Sequence, residues 1–379
     1  MKWRTPVILA GFLILSLVGC QNKKNPLSLE LLGKKDLGQE KVVTIRKTDD
    51  IKIGTFEGQT AYSSEIFAGK AGGYSAFILI QFKDLHLIPD TAQIDKAILR
   101  LYARSVINPQ HLATLPLKIF SVKSNWVQTE LSSDVSLDNY RGNLISSDTV
   151  SARTAAYDSL LLPPGVVKGW KDSTIENNGL LIEAENEAFI KSYNAYINEN
   201  PPDLLVFFNV GNTRDSVRVN ASKDLFLVKS TWQQQPGYAY VGEGVNLLSD
   251  FHFSLPVLPT NATIHKAVLH LSVDTTASLL GIDRVYALAK MPLLEEGGVL
   301  KADSTTIDSA SYDVHKDHVT TLITDIVQKW VSGKIPNKGL RLAPRYPGAD
   351  LFRIAFYQQQ PDSLLNPTIT LYYSIPPAK

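Results

Sequence analysis

The chain has 379 residues, 38 basic against 37 acidic, with 44% hydrophobic and 20% charged residues. This globular composition excludes a wholly disordered chain, a collagen-like fibre and a multispanning membrane protein. A formal charge of +1 supplies no basic field for nucleic acid, and a single cysteine builds neither a disulfide framework nor a thiolate zinc site.

The chain opens with Lys2 and Arg4, followed by an uncharged apolar run over residues 6–18. A spanning helix needs about 20 apolar residues, so the run fits the apolar part of a signal peptide instead. It ends in Leu17-Val18-Gly19-Cys20, and Cys20 is the sole cysteine. This end resembles the lipobox of bacterial lipoproteins. The resemblance implies a diacylglycerol on the Cys20 thiol, cleavage of residues 1–19 and acylation of the new amino terminus. An ordinary signal peptide that contains a cysteine is the competing reading. The mature chain would hold 360 residues with a formal charge of −1. Several acyl chains anchor a protein durably where one does not, so the expected product is a soluble body tethered to the membrane. Gln21 in place of an aspartate points, by the sorting habit of such lipoproteins, to the outer membrane. Residues 20–40 are polar and read as a spacer.

Beyond residue 40 the sequence is written twice. Val43 to Ile53 matches Val217 to Leu227, and Phe67-Ala68-Gly69 matches Tyr240-Val241-Gly242. Ile94 to Leu101 matches Ile264 to Leu271, and Val166 to Trp170 matches Ile326 to Trp330. Asn178-Gly179-Leu180 matches Lys338-Gly339-Leu340, and Pro202 to Phe208 matches Pro367 to Tyr373. The six blocks are collinear, so two modules of similar size follow, at 41–210 and 215–376. Gly211-Asn212-Thr213 marks the join.

Within each copy short apolar runs alternate with Pro, Gly, Asn and Asp. Phe77 to Phe82, Ala97 to Tyr102 and Leu117 to Val122 read as strands, as do Ala267 to Val273 and Ile369 to Tyr373. Ala267 to Val273 shows period two with one buried face. The fold class predicted is all-β, with one β-sandwich per copy. One helix recurs: Leu322, Ile323, Ile326, Val327, Trp330 and Val331 lie at helical spacing, with the preceding strand as the alternative place for Leu322 and Ile323, Thr324 as a cap and Ser332-Gly333 as the stop. The first copy, with Pro163-Pro164-Gly165, predicts a shorter or more irregular turn. Residues 127–156 read as a long polar loop, either a lid or disordered.

The repeated order is a strand pair broken at Asp50 or Asp224, a Phe/Tyr-x-Gly turn, Ile-x-Lys-Ala-Ile/Val-Leu-x-Leu, Val-x-x-Trp, Asn/Lys-Gly-Leu, then Pro and a closing strand. It resembles the DNRLRE-type domain, grouped with carbohydrate-binding modules; Thr324 to Leu342 carries the densest match. The resemblance covers about 42–209 and 215–375. It implies tandem jelly-roll-like sandwiches that bind a polysaccharide or surface glycan without catalysing a reaction. The chain lacks a catalytic domain beside these modules, and the family's six-letter signature is not literally present.

Candidate chemistry is sparse. His265 and His270 lie on one strand and point to opposite faces, which excludes a shared metal. Asp313 to His318 holds the most potential ligands but reads as a solvated loop. No Gly-x-Ser-x-Gly elbow occurs, and no carboxylate pair stands out for glycoside hydrolysis. Asp50 and Asp224, one per copy, are candidates for a structural calcium ion or for capping a ladder end. Sugar binding asks for exposed aromatic rings beside polar groups. Trp232, Tyr193, Tyr196 and Tyr346 meet that pattern, whereas Trp170 and Trp330 sit on apolar elements and read as core. The alternatives are a structural or adhesive surface protein with protein partners, and a cryptic polysaccharide hydrolase or lyase.

Overall fold

The computed structural model describes residues 40–46, 50–56, 63–108, 114–132, 134–153, 156–358 and 364–376. The signal segment, Cys20 and the spacer up to residue 39 lie outside them. Among the described residues no helix is long and apolar enough to cross a membrane.

The protein is all-β, and the described residues include two α-helices of eight residues each. In the first sandwich a four-stranded sheet runs from the start of Thr213–Ser230 through Asp203–Val210 and Gln93–Leu101 to Asp158–Leu162. The larger sheet is centred on Tyr74–Phe82. That strand pairs on one side with the end of Thr213–Ser230 and on the other with Glu65–Ala71 and Leu180–Ala184. Ile190–Asn194 and Ala103–Ile107 extend one branch; Thr114–Val122 and Arg141–Ser151 extend the other.

The second sandwich repeats this plan and adds one short strand, Val299–Ala302, at the edge of its larger sheet. Its four-stranded sheet is Glu40–Ile45, Thr368–Ser374, the start of Thr263–Leu279 and His318–Leu322. Its larger sheet is centred on Leu247–His252, flanked by Asp50–Thr55 on one side and by Tyr238–Glu243 and Leu340–Pro344 on the other. Even the irregularities recur. The register skips Asp95 opposite Phe207/Phe208, and it skips His265 opposite Tyr372/Tyr373. Each extra residue bonds to the closing strand: Asn209 Nδ2 donates to Asp95 Oδ2 at 2.7 Å, and His265 Nε2 meets Ser374 Oγ at 2.9 Å.

The strand pairing cuts across the units read from the repeat. The matched segments 43–53 and 217–227 sit in opposite sandwiches. Gly211, at φ +60°, closes a tight hairpin between Asp203–Val210 and Thr213–Ser230, which holds the opening strand of the second repeat in the first sandwich. The equivalent place in the second sandwich is taken by the N-terminal strands Glu40–Ile45 and Asp50–Thr55. Packing therefore groups 63–230 together and joins 40–56 to 238–376, rather than 41–210 and 215–376. We call residues 40–55 the clasp.

Each sandwich has a core, and Leu279 and Leu351 of the second pack into that of the first. Trp170 is buried in the first and Trp330 in the second. The Phe/Tyr-x-Gly element is not a turn. Gly69 and Gly242 lie inside strands, where a Cβ would stand 2.2 Å from the Phe189 carbonyl oxygen and 2.3 Å from that of Phe352. A side chain would push the neighbouring strand away. Helix α1 (Pro164–Lys171) is as long as α2 (Thr324–Val331), because Pro is tolerated at the first helical position. Thr324 does not cap α2; its hydroxyl accepts the Ala267 N–H at 3.1 Å and ties the helix to the sheet. The 127–156 segment is largely ordered structure. Two 3₁₀ turns place Leu131 and Leu137 with Trp126 over Phe77, Leu79 and Leu225, and Arg141–Ser151 joins the sheet edge.

Candidate functional site at the helical end of the second sandwich

The chain leaves the strand Leu247–His252 at Phe253 and runs through Ser254-Leu255-Pro256-Val257-Leu258 without regular structure. Pro256 has no N–H to give to a ladder, and Val257 is fully exposed. A cavity of about 490 Å³ opens between this segment, the end of α2 and residues 337–339. Phe253, Leu255, Pro256, Leu258, Trp330 and Val331 form its apolar wall. The volume falls within the usual range for small-ligand sites, about 300–1,000 Å³.

Two polar atoms of its lining residues are buried without a partner, His252 Nε2 and Trp330 Nε1. The His252 ring lies against Gly339, whose φ is +104°; a Cβ there would stand 2.8 Å from Nδ1. Asn337 is already committed. Its Nδ2 donates to the Phe253 carbonyl at 2.8 Å, and its Oδ1 accepts the Gly339 N–H at 3.2 Å. Both atoms are shielded from solvent, so a ligand reaches the indole donor and the imidazole nitrogen only when the irregular 254–258 segment shifts. Leaving such a group unsatisfied costs about 1–3 kcal/mol, so an occupant that bonds to them recovers that cost.

The first sandwich covers the same end with a 3₁₀ turn, although it too leaves two buried atoms unpaired, Gln81 Oε1 and Asn177 Oδ1. Gln81 and Asn177 occupy the places of His252 and Asn337. Gln81 Nε2 donates to the Asn177 carbonyl at 2.6 Å, and Asn177 Nδ2 donates to the Phe82 carbonyl at 2.6 Å. The following residues form the 3₁₀ turn Leu85–Leu87, which puts Leu85 and Ile88 into the core.

None of the aromatics singled out from sequence lines this cavity. Trp232 is half-buried between the sandwiches, with the Arg353 guanidinium 4.3 Å from its ring centre, Tyr240 edge-on at 4.7 Å and Gly73 beneath it. Tyr193 is fully buried, which corrects the expectation of an exposed ring. Its hydroxyl donates to Asp158 Oδ2 at 2.9 Å, and Asp158 also holds the buried Lys191 ammonium at 2.7 Å. Burial and the Asp158 charge raise the Tyr193 pKa well above the ordinary phenol value. Tyr196 packs against the first core and gives its backbone N–H to Asp224 Oδ2 at 2.7 Å. Tyr346 keeps the expected exposure, 63%.

The paired aspartates have unlike surroundings. Asp50 is exposed, 4.0 Å from Lys52. Asp224 is buried, and desolvation pushes its pKa up to about 8 against the pull of the Tyr196 N–H. Among the described residues no group of three or more His, Cys, Asp or Glu side chains is placed to hold a metal ion. Residues 314–317 form the turn between Asp308–Asp313 and His318–Leu322. Cys20 lies outside the described residues.

Sequence reasoning missed His252 altogether and read Trp330 as core. Trp330 is core, but its unpaired N–H depends on the course of 254–258. The apolar Leu-Pro-Val-Leu stretch was the available signal, because the first copy offers Leu-His-Leu there.

No family model matches the sequence, and no curated protein matches it. Among solved structures, the VP2 subviral particle of infectious bursal disease virus aligns with 90% of this chain and 78% of its own at 9% identity. The TM-score is 0.15, and this likeness carries no argument.

Proposed function

We propose that the chain is a non-catalytic carbohydrate-binding protein of the bacterial cell envelope, held on the membrane, the outer one by the Gln21 reading, through acyl chains on Cys20. The observation that carries the binding role is the cavity beside α2, where apolar side chains cover two buried, unpaired polar atoms. A sugar ring offers both kinds of surface. Its C–H face suits Leu255, Pro256 and Leu258, and its hydroxyls suit the Trp330 N–H and His252 Nε2 once the 254–258 segment shifts. The motif resemblance and the lipobox support the same reading from the sequence. Asp224 acts as a ladder-end cap in this account, since its oxygen already accepts the Tyr196 N–H.

The test is a glycan array read with the mature protein and with Trp330→Phe, which keeps an aromatic ring but removes the donor. Loss of one buried hydrogen bond should weaken binding about tenfold. If the folded protein is retained by no glycan on the array or in polysaccharide gels, the reading is wrong.

A further inference from the structure

The outer face of the four-stranded sheet of the first sandwich carries four cations where its twin keeps one of them. Lys96, Arg100, Arg214 and Arg218 point outward on three adjacent strands, by the alternation of the ladder Lys96–Phe207–Ser216 and its neighbours. Two carboxylates oppose them. Asp203 is fully buried beneath the arginines, and Asp95 sits at the register skip bonded to Asn209. Arg100 and Arg218 each bond to Asp203 through Nε at 2.8 Å, a contact that leaves the outer ends of both guanidinium forks directed away from it.

Aromatic rings hold these guanidinium groups in place. Arg218 lies 5.5 Å from the Tyr102 ring centre, Arg100 5.5 Å from that of Tyr157, and Arg214 6.0 Å from that of Phe207. Between them Ile98, Leu205 and Phe207 are half-buried, and Leu161 is 53% exposed. In the second sandwich Lys266 keeps the place of Lys96, but the register puts Glu40 where Arg214 stands, Thr44 in place of Arg218, His270 in place of Arg100 and Thr368 in place of Asp203. The sheet was duplicated and the three arginines were not.

Arg214 and Arg218 are four residues apart on one strand, so their Cα atoms are about 13 Å apart. One small anion cannot bridge that distance; a surface of many anionic groups can. Arginines laid flat beside aromatic and aliphatic side chains suit the interface of a bilayer, where the rings enter the headgroup layer and the guanidinium groups meet phosphates.

We propose that this face docks the first sandwich on an anionic phospholipid surface, the partner being the lipid phosphate. The proposal rests on the envelope placement of the proposed function and not on the cavity beside α2. The sheet then lies against the bilayer and the helical end of the second sandwich is free to take its ligand.

The test uses the mature chain with Cys20→Ser, which removes acylation, in co-sedimentation with phosphatidylglycerol and phosphatidylcholine vesicles. Binding to phosphatidylglycerol alone is expected. Each basic side chain near the surface contributes roughly fivefold, so Arg214→Gln/Arg218→Gln should weaken binding roughly thirtyfold. Lys96→Gln/Arg214→Gln, which leaves both Asp203 contacts intact, should weaken it by a similar factor. Trp330→Phe should leave it unchanged. The proposal is overturned if phosphatidylglycerol vesicles do not sediment the protein, if both double variants bind as the parent does, or if soluble acidic polysaccharide is bound while vesicles are not. Mass spectrometry of Cys20 in the unmodified chain tests the anchor separately.

Discussion

The helical ends of the two sandwiches differ by one short segment. In the first, residues 83–88 fold back as a 3₁₀ turn and Leu85 enters the core. In the second, Leu255-Pro256-Val257-Leu258 stays extended and a cavity remains beneath it. Strand order, register skips and helix length are shared, so the difference is not one of fold. It shows how a duplicated scaffold keeps its stability in one copy and opens a site in the other. The two copies also depend on each other, because the clasp completes the second sandwich from the far end of the chain.

The largest effect should come from removing that dependence. A chain beginning at residue 56 loses Ile51 from the second core, and Val43 and Ile45 from its edge. Burial of these side chains contributes on the order of 5 kcal/mol. Calorimetry should then show the first sandwich melting as before and no cooperative transition from the second. A full set of unchanged transitions would break the comparison.

The closed and open ends should next respond unequally to truncation. Leu85→Ala should cost about 2–5 kcal/mol, as for other buried leucines. Leu255→Ala, at the rim of the cavity, should cost less than about 1 kcal/mol. Urea unfolding measures both, and equal costs would mean that the two ends are packed alike.

Acidity separates the paired aspartates. The Asp224 carboxyl is raised to about 8 in the folded state against about 3.9 in an unfolded chain. Between those values the folded protein holds a proton that the unfolded chain releases, so stability falls as pH rises from about 4 to about 8. Asp224→Asn should flatten this slope. Glu243, raised to about 8 by burial, adds a slope of the same sign that the variant retains. Thermal melts from pH 5 to 8 read the difference.

The smallest effect concerns the unpaired indole. Trp330→Phe removes a buried donor without a partner but also part of a core side chain, so the two effects oppose and the stability of the ligand-free protein should change by less than about 1 kcal/mol. A loss of more than about 2 kcal/mol would mean that the N–H is satisfied.

Much of the fold was legible because its signals are local. Alternation in Ala267 to Val273, the Pro and Gly punctuation and the six collinear blocks follow from side-chain period and turn chemistry. The exchange of opening strands was not legible, since 43–53 and 217–227 carry the same pattern and fit either sandwich. A hairpin at Gly211 decides between them, and that is a matter of chain path. Tyr193 misled because Lys191-Ser192-Tyr193-Asn194 looks like a polar surface run. Its lysine is buried on Asp158 and on the carbonyls of Ser151 and Arg153. The cavity was invisible because an unpaired nitrogen is defined by what fails to approach it.

The reciprocal closure can be tested by cross-linking. The ladder sets Val42 opposite Tyr372. Were each repeat to keep its own first strand, Val42 would lie opposite Phe207, as its counterpart Ser216 does. In a Cys20→Ser background, Val42→Cys/Tyr372→Cys should oxidise to an intramolecular disulfide, seen by mass spectrometry of the monomer, while Val42→Cys/Phe207→Cys should stay reduced. Disulfide formation by the 42/207 pair and not by the 42/372 pair would contradict the account.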